Sequence, residues 1–433
     1  MTSRVLLPVL IWVLAASGPA TAQDWPQWRG PGGLGISEET GIPTRWGPDD
    51  GVAWRVALEG FGTSTPVVWG DRIFLTSQLG IGPIDERGAQ FPGTRRAGRR
   101  ARSDGVTLLV QAFHREDGRP AWEHRFAAEG PVPAVHRNHN FATPSVVTDG
   151  ERLFAWFGTG QLAALDLEGR LLWSRHIGQD YASFDVLWGH GSSPQLYDNL
   201  LILQCDHPAG AYLLALDTAT GEERWRVDRG PALRAYSTPL ILPTDEGDQL
   251  IVNSSRWIDA YEPTTGEARW QAGSTTELAI GMPVYEDGVL YTTRGYASGP
   301  YLSVDTTGRG NVNETHVRWR RPTGAPYVSS LLLYRGLLYM ATENGIVTIT
   351  DPDTGEPVAR TRLGGVFTAS PVAADGHVYL LAEAGETVVL AAGPDMRVIS
   401  RNRLEERALA SPAIAHGRLY IRTDDHLYAI GAP

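Results

Sequence analysis

Apolar residues in this chain fall into short runs separated by tight polar turns, and one such unit is repeated along the sequence. Its clearest copy is LLALDTATGEERW, Leu213 to Trp225: an apolar strand, a turn built on Asp217, Thr220 and Gly221, then a strand carrying a tryptophan. Gly221 and Trp225 stand four residues apart, and the same interval separates Gly118 from Trp122, Gly169 from Trp173 and Gly266 from Trp270. An acidic residue precedes each glycine, at Asp117, Asp166, Asp217 and Glu262, and DPDTGE from Asp351 to Glu356 repeats the turn without the tryptophan. The carboxylate accepts from turn amides and glycine tolerates positive φ, so each copy predicts a β-hairpin.

Upstream of each hairpin lies another strand pair, opened by small residues and usually a proline. These openings begin near Ser64, Ala142, Ser192, Ser237, Gly281, Ser329, Ala369 and Ala410. From the second onward they recur every roughly 40 to 50 residues, the period of a four-stranded propeller blade. The pattern predicts an all-β fold, an eight-bladed β-propeller of four-stranded antiparallel blades; a seven-bladed ring with an irregular terminal unit is the alternative. The last unit, ending in LYAIG, lacks an outer strand, and VAWRVAL at residues 52–58 supplies one. An N-terminal strand is therefore expected to pair with the C-terminal blade and remove two exposed sheet edges.

The repeat spans 52–433 as one domain, preceded by a Trp/Gly/Pro-rich segment at 23–51 and interrupted by an Arg-rich insertion at 79–105. Residues 1–22 carry one charge, Arg4, an apolar run from Val5 to Ala16 and the small residues Ala20, Thr21 and Ala22. This reads as a secretory signal cleaved after Ala22, too short to span a membrane, and places the mature chain in the periplasm or outside the cell. Cys205 is the single cysteine, which excludes an intramolecular disulfide. All 38 basic residues are arginine, which excludes a Schiff-base lysine and a P-loop; the formal charge of −11 argues against nucleic-acid binding.

Meander topology sorts the connections onto two faces. The short turns, such as WGDR, TDGE and EDG, join strands one to two and three to four. The long links between strands two and three share the opposite face with the crossovers to the next blade, so a ligand site is expected there. The binding-face candidates are His136, Asn138, His139 and Asn140 in one crossover, Trp188 and His190 in the next, Asp206 and His207 after Cys205, Asn253, Arg256 and Trp257 in NSSRW, and Arg294 and Tyr296 in RGYASGP. The histidines match no metal-ligand spacing and read as hydrogen-bonding groups. Trp54, Trp122, Trp173, Trp225, Trp270 and Trp319 recur once per blade, as interblade packing demands. Cys205 ends an apolar strand and reads as a small buried hydrophobe.

ALDTATGEERW and AYEPTTGEARW resemble the repeats of the pyrroloquinoline-quinone-like, or quinoprotein alcohol dehydrogenase-like, eight-bladed propellers, a group that includes BamB. WPQWRGP, Trp25 to Pro31, resembles the start of exported bacterial members. The resemblance implies either a dehydrogenase holding pyrroloquinoline quinone and Ca²⁺ on the axis, or a non-enzymatic propeller. The dehydrogenases typically carry adjacent cysteines, which this chain lacks, so the resemblance transfers no catalytic residue. The expected function is an exported, non-catalytic binding or scaffold module for a protein or glycan partner. The alternative is a quinone- and Ca²⁺-dependent oxidoreductase of alcohols or sugars; a third reading is a carbohydrate-active enzyme using His136, His139 or His190 with Asp185.

Overall fold

A computed structural model describes residues 23–432, apart from 83–104, 131, 133, 137–138, 183–185, 187–188, 209, 232–233, 277 and 297–298. The expected signal segment, nearly all of the Arg-rich insertion, and the candidates Asn138, Trp188 and Asp185 lie outside the described residues.

The described chain folds into eight antiparallel four-stranded sheets, one of which carries a short fifth strand. Blade 3 is typical, with strands Gln195–Tyr197, Leu200–Cys205, Ala211–Asp217 and Glu223–Gly230 in spatial order. Its two middle strands are buried on both faces, because each blade is sandwiched between neighbours, whereas the outermost strand alternates toward solvent. Blade 8 is composite. Ala413–Ala415, Arg418–Arg422 and His426–Ile430 are joined by Val52–Ala57, which pairs antiparallel with the last of them and sets Arg55 opposite Tyr428. In blade 4 the extra strand Gly310–Asn311 lies parallel to Ala268–Ala272, opposite Trp270.

The repeated tryptophans tie each blade to the next. The indole N–H of Trp54 donates to Arg115 O at 3.1 Å, and Trp122, Trp173, Trp225 and Trp319 donate in the same way to Leu167, Thr218, Pro263 and Pro352 of the following blade's turn. Each of those rings lies against the turn glycine of that blade. A Cβ on Gly118 would come 2.5 Å from the Trp54 ring, and Gly169, Gly221, Gly266 and Gly355 face their tryptophans as closely. Gly118 has φ of 73°, so both the turn and the contact require glycine. The motif's glycine and tryptophan therefore act in different interfaces: Trp173 docks on Gly221 of the next unit, not on Gly169 of its own.

A second set of bonds encircles the axis. The N–H of Thr65 donates to Ser145 Oγ, Ser145 to Ser193, Ser193 to Thr238, Met282 to Ser330, Ser330 to Ser370 and Ser370 to Ser411, all at 2.9–3.0 Å. Met282 carries no hydroxyl, so the series is interrupted at blade 5, and among the described residues no such bond runs from Ser411 of blade 8 to Thr65 of blade 1.

Residues 24–39 run around the hairpin end of the axis and touch the blades in turn. Asp24 accepts from Gly70 N–H in blade 1 and lies 2.7 Å from His416 Nε2 in blade 8. Trp25 exchanges backbone hydrogen bonds with Val68 of blade 1, Pro26 O accepts from Thr148 of blade 2, and Gln27 accepts from Gln195 of blade 3. Gly33 packs against Leu240 of blade 4 and Met282 of blade 5. Arg29 donates to Leu331 O in blade 6, Gly35 O and Ser37 N–H pair with Ala373 of blade 7, and Glu39 accepts from His416 and Gly417 of blade 8. Among the described residues no carboxylate pairs with the buried Arg29, which is held by the carbonyls of Gly33, Leu34 and Leu331, and burial lowers its pKa to about 9. The segment is a belt that closes this end of the ring.

Trp25 is fully buried at the start of the belt. Replacing it with alanine is expected to cost about 3–5 kcal/mol of stability, measured by urea unfolding; a loss below about 1 kcal/mol would mean that the belt does not stabilise the ring.

Candidate functional site

The end of the axis opposite the belt opens into a cavity of about 740 Å³. The axial hydroxyls of Ser145, Ser193, Thr238, Ser370 and Ser411 line it, and Trp28 reaches it from the belt. Its remaining walls are crossovers and second-to-third-strand links: His136 and His139, Gly189 and Gly191, Tyr236, Ile280, Tyr296, Tyr327, Glu343, Thr368 and Glu383. The face is the one meander topology indicates, but blades 6 to 8 contribute to the cavity as well as the long loops of the first five.

Of the described sequence candidates, His136, His139 and Tyr296 line the cavity. Arg256 is exposed and Trp257 half-buried in the Asn253–Ile258 link, neither of them a lining residue. The others are built into the fold. Asn140 Oδ1 accepts from Ala142 N–H at 2.9 Å, capping its own turn. Asp206 is buried and accepts from Arg229 Nε at 2.8 Å; the same guanidinium reaches Asp259 at 3.1 Å and bonds the Tyr261 hydroxyl. Asn253 donates to Gly281 O and Thr293 O and accepts from Arg294, which also donates to Ser274 O. These two long polar side chains bridge loops of blades 4 and 5. Cys205 is buried, its thiol pKa pushed well up by desolvation, so it is no thiolate nucleophile.

The half-buried His139 and the buried His190 and His207 form a file across blades 1 to 3. His139 Nε2 lies 2.9 Å from His190 O, so that nitrogen carries the proton, and Nδ1 is 3.1 Å from Thr143 Oγ1. The His190 ring lies 4.1 Å from that of Trp156 and 5.9 Å from that of His207. Gly189 makes room for this file, since a Cβ there would sit 2.5 Å from His139. Burial lowers the pKa of His139 to about 4, and burial beside His207 lowers that of His190 well below its ordinary value.

Sequence reasoning passed over Tyr236, Tyr327, Glu343 and Glu383. The two glutamates occupy equivalent links in blades 6 and 7, TENG and AEAG, short enough to read as plain turns. Burial raises both pKa values, and Arg407, 4.0 Å from Glu383, works against the rise there. Glu343 Oε1 accepts from Tyr327 N–H at 3.0 Å and Val328 N–H at 2.6 Å. The Tyr327 ring meets that of Tyr296 edge to face, with centroids 4.9 Å apart.

An unfolded histidine titrates near pH 6.5, so between there and about pH 4 the unfolded chain binds a proton that folded His139 refuses, and the lowered pKa of His190 acts in the same direction. Stability is then expected to fall with pH across this window by about 1.4 kcal/mol per pH unit for His139. The raised pKa values of Glu343 and Glu383 oppose this, because the folded state takes up their protons first. The His139→Gln variant keeps a donor to His190 O and separates the effects: urea unfolding from pH 7 to 4.5 should lose less stability than wild type, and an identical slope would refute the assignment.

The sequence model of the family described as outer membrane protein assembly factor BamB matches residues 44–183, 106–348 and 343–432. No curated protein matches the sequence. Among solved structures, BamB from Moraxella catarrhalis is 18% identical with a TM-score of 0.55, covering 82% of this chain and 97% of its own. The quinohemoprotein alcohol dehydrogenase from Pseudomonas putida HK5 is 12% identical with a TM-score of 0.65, covering 96% of this chain and 81% of its own. That from Comamonas testosteroni is 12% identical with a TM-score of 0.64, covering 96% and 82%. At such identities the likeness is one of fold, shared by BamB and by quinohemoprotein alcohol dehydrogenases alike. With matches spanning the propeller from blade to blade, the chain belongs to the BamB family of pyrroloquinoline-quinone-like propellers.

Proposed function

We propose that this chain acts after export as a non-catalytic binding or scaffold module, engaging a partner through the loop-rich face. The observation that carries the reading is the one-sided axis: the belt covers the hairpin end, and the cavity opens among the crossovers. A protein partner is favoured over a glycan because the matching family is described as an outer membrane protein assembly factor. Export is supported by the signal-like residues 1–22, and among the described residues no helix is long and apolar enough to cross a membrane.

The quinone-dependent alternative fits the described residues poorly. Ca²⁺ needs several oxygen ligands, and no group of His, Cys, Asp and Glu able to hold a metal occurs among the described residues. Of the candidates for metal and quinone contacts, Trp188, Asn253, Arg256, Trp257 and Arg294, the pair Asn253 and Arg294 are buried and bonded to each other and to loop carbonyls, and Trp188 lies outside the described residues. Of the histidines in the acid–base reading, His136 and His139 line the cavity and His190 is buried outside its lining, while Asp185 lies outside the described residues.

The immobilised protein should capture a partner from the native envelope or secreted fraction. An Arg256→Glu, Tyr296→Ala rim variant is expected to lose capture by about tenfold or more, while a Glu151→Arg, Glu222→Arg variant of the hairpin face keeps it. Equal capture by both would sink the proposal. Pyrroloquinoline quinone added with Ca²⁺ is expected to give no saturable absorbance change; stoichiometric binding with dye reduction would favour the dehydrogenase.

A further inference from the structure

We propose that Glu343, Tyr327 and Tyr296 form a site in the axial cavity for a cationic group, an ammonium or guanidinium carried on a short chain. The inference rests on the binding-module reading and names what its cavity would take.

Most other partly buried carboxylates of this protein are paired with arginine. Asp206 and Asp259 share Arg229, Glu262 has Arg269, Glu386 has Arg401, and Glu383 and Asp424 share Arg407. Glu39 is held by the backbone N–H groups of Gln23, His416 and Gly417 and is enclosed under the belt, whereas Glu343 faces an open cavity. Glu343 lies half-buried in the cavity wall, its Oε1 fixed by the two backbone N–H groups of Tyr327 and Val328, and no cationic side chain among the described residues pairs with it. A carboxylate taken partly out of water without a counter-charge is costly, and burial accordingly raises its pKa. A cation entering the cavity would supply the missing charge.

The surroundings suit such a ligand. The Tyr327 backbone that holds the carboxylate also carries a ring set at 89° to Tyr296, which is 40% exposed at the mouth. Aromatic faces attract ammonium and guanidinium groups. Glu383, in the corresponding link of the next blade, is near enough that the Glu343 charge helps raise its pKa, although Arg407 at 4.0 Å partly offsets the Glu383 charge. Arg360 also lines the cavity, but it is exposed and pairs with neither glutamate among the described residues. A volume of about 740 Å³ admits a linear amine, or the side chain of a partner's loop, with water beside the axial hydroxyls.

Titration calorimetry of the full mature chain decides the matter, with agmatine, N-acetyl-arginine amide and the peptide Gly-Gly-Arg-Gly-Gly as cationic probes and N-acetyl-glutamine amide as the neutral control. Saturable binding of a cationic probe is expected, weakened by about tenfold or more in Glu343→Gln and by about threefold in Tyr296→Ala, with none for the control. Agmatine binding alone would identify a free amine as the ligand class, and peptide binding a basic side chain of a partner. No saturable binding of any cationic probe, or undiminished affinity in Glu343→Gln, overturns the proposal. Should Glu343→Gln lose its native near-ultraviolet dichroism, undiminished affinity in the exposed-site variant Tyr296→Ala does so instead. The two readings fail separately: no amine binding with rim-dependent capture overturns the cation site alone, and amine binding with rim-independent capture overturns the binding-module reading alone.

Discussion

The ring depends on a tryptophan of one blade lying flat against a glycine of the next. Beyond the peptide crossovers blades have no covalent tie sideways, and with one cysteine no intramolecular disulfide can provide it. What holds neighbours at a fixed angle is the indole ring on a bare backbone, with its N–H on a turn carbonyl, seen from Trp54 at Arg115 through Trp319 at Pro352. The apolar face contributes non-directional burial and the N–H fixes direction, which is why Trp serves where Phe would slide. Where the pattern lapses other devices appear: Trp270 donates to Gln249 Oε1 and is covered by Gly310–Asn311, and along the outer strand of blade 7 the N-terminal segment lays Trp46, whose backbone N–H bonds Asn402.

The faces of the ring diverge from there. At the hairpin end the belt of residues 24–39 passes over the axis and satisfies its polar groups locally, to the point of burying Arg29 among carbonyls with no counter-ion among the described residues. At the crossover end the axial hydroxyls accept interblade N–H bonds and line the cavity. One face is thereby structural, while the other combines space, aromatic rings and a carboxylate without a cation. The histidine file shows how easily polarity on the second face is misread, since His190 and His207 lie on the rim in chain order but are enclosed between blades in space.

The candidate residues divide along a physical line. Asp206, Asn253 and Arg294 stand at the ends of strands in long links, where chain order alone suggests a ligand contact. Each is consumed by bonds across to the next blade, because closing a ring buries the polar ends of its strands and those must be satisfied. Glu343 and Tyr327 went unnoticed for the converse reason. Their loops are short, and nothing in TENG or GAPYV distinguishes a carboxylate that finds its arginine from one that does not.

By itself the sequence determined the repeat, the hairpins, the count of blades and the structural duty of the tryptophans, because all of these are set by spacing, glycine backbone freedom and local patterning. It also carried Ser or Thr at the axial position of every blade but the fifth, although the meaning of that column appears only once the blades are arranged in a circle. Tertiary structure alone decided that Trp173 docks on Gly221 and not on Gly169, that the belt seals one end, and which polar side chains are left facing the cavity. Those are relations between residues tens or hundreds of positions apart, and they exist only when the ring brings every blade to the same axis.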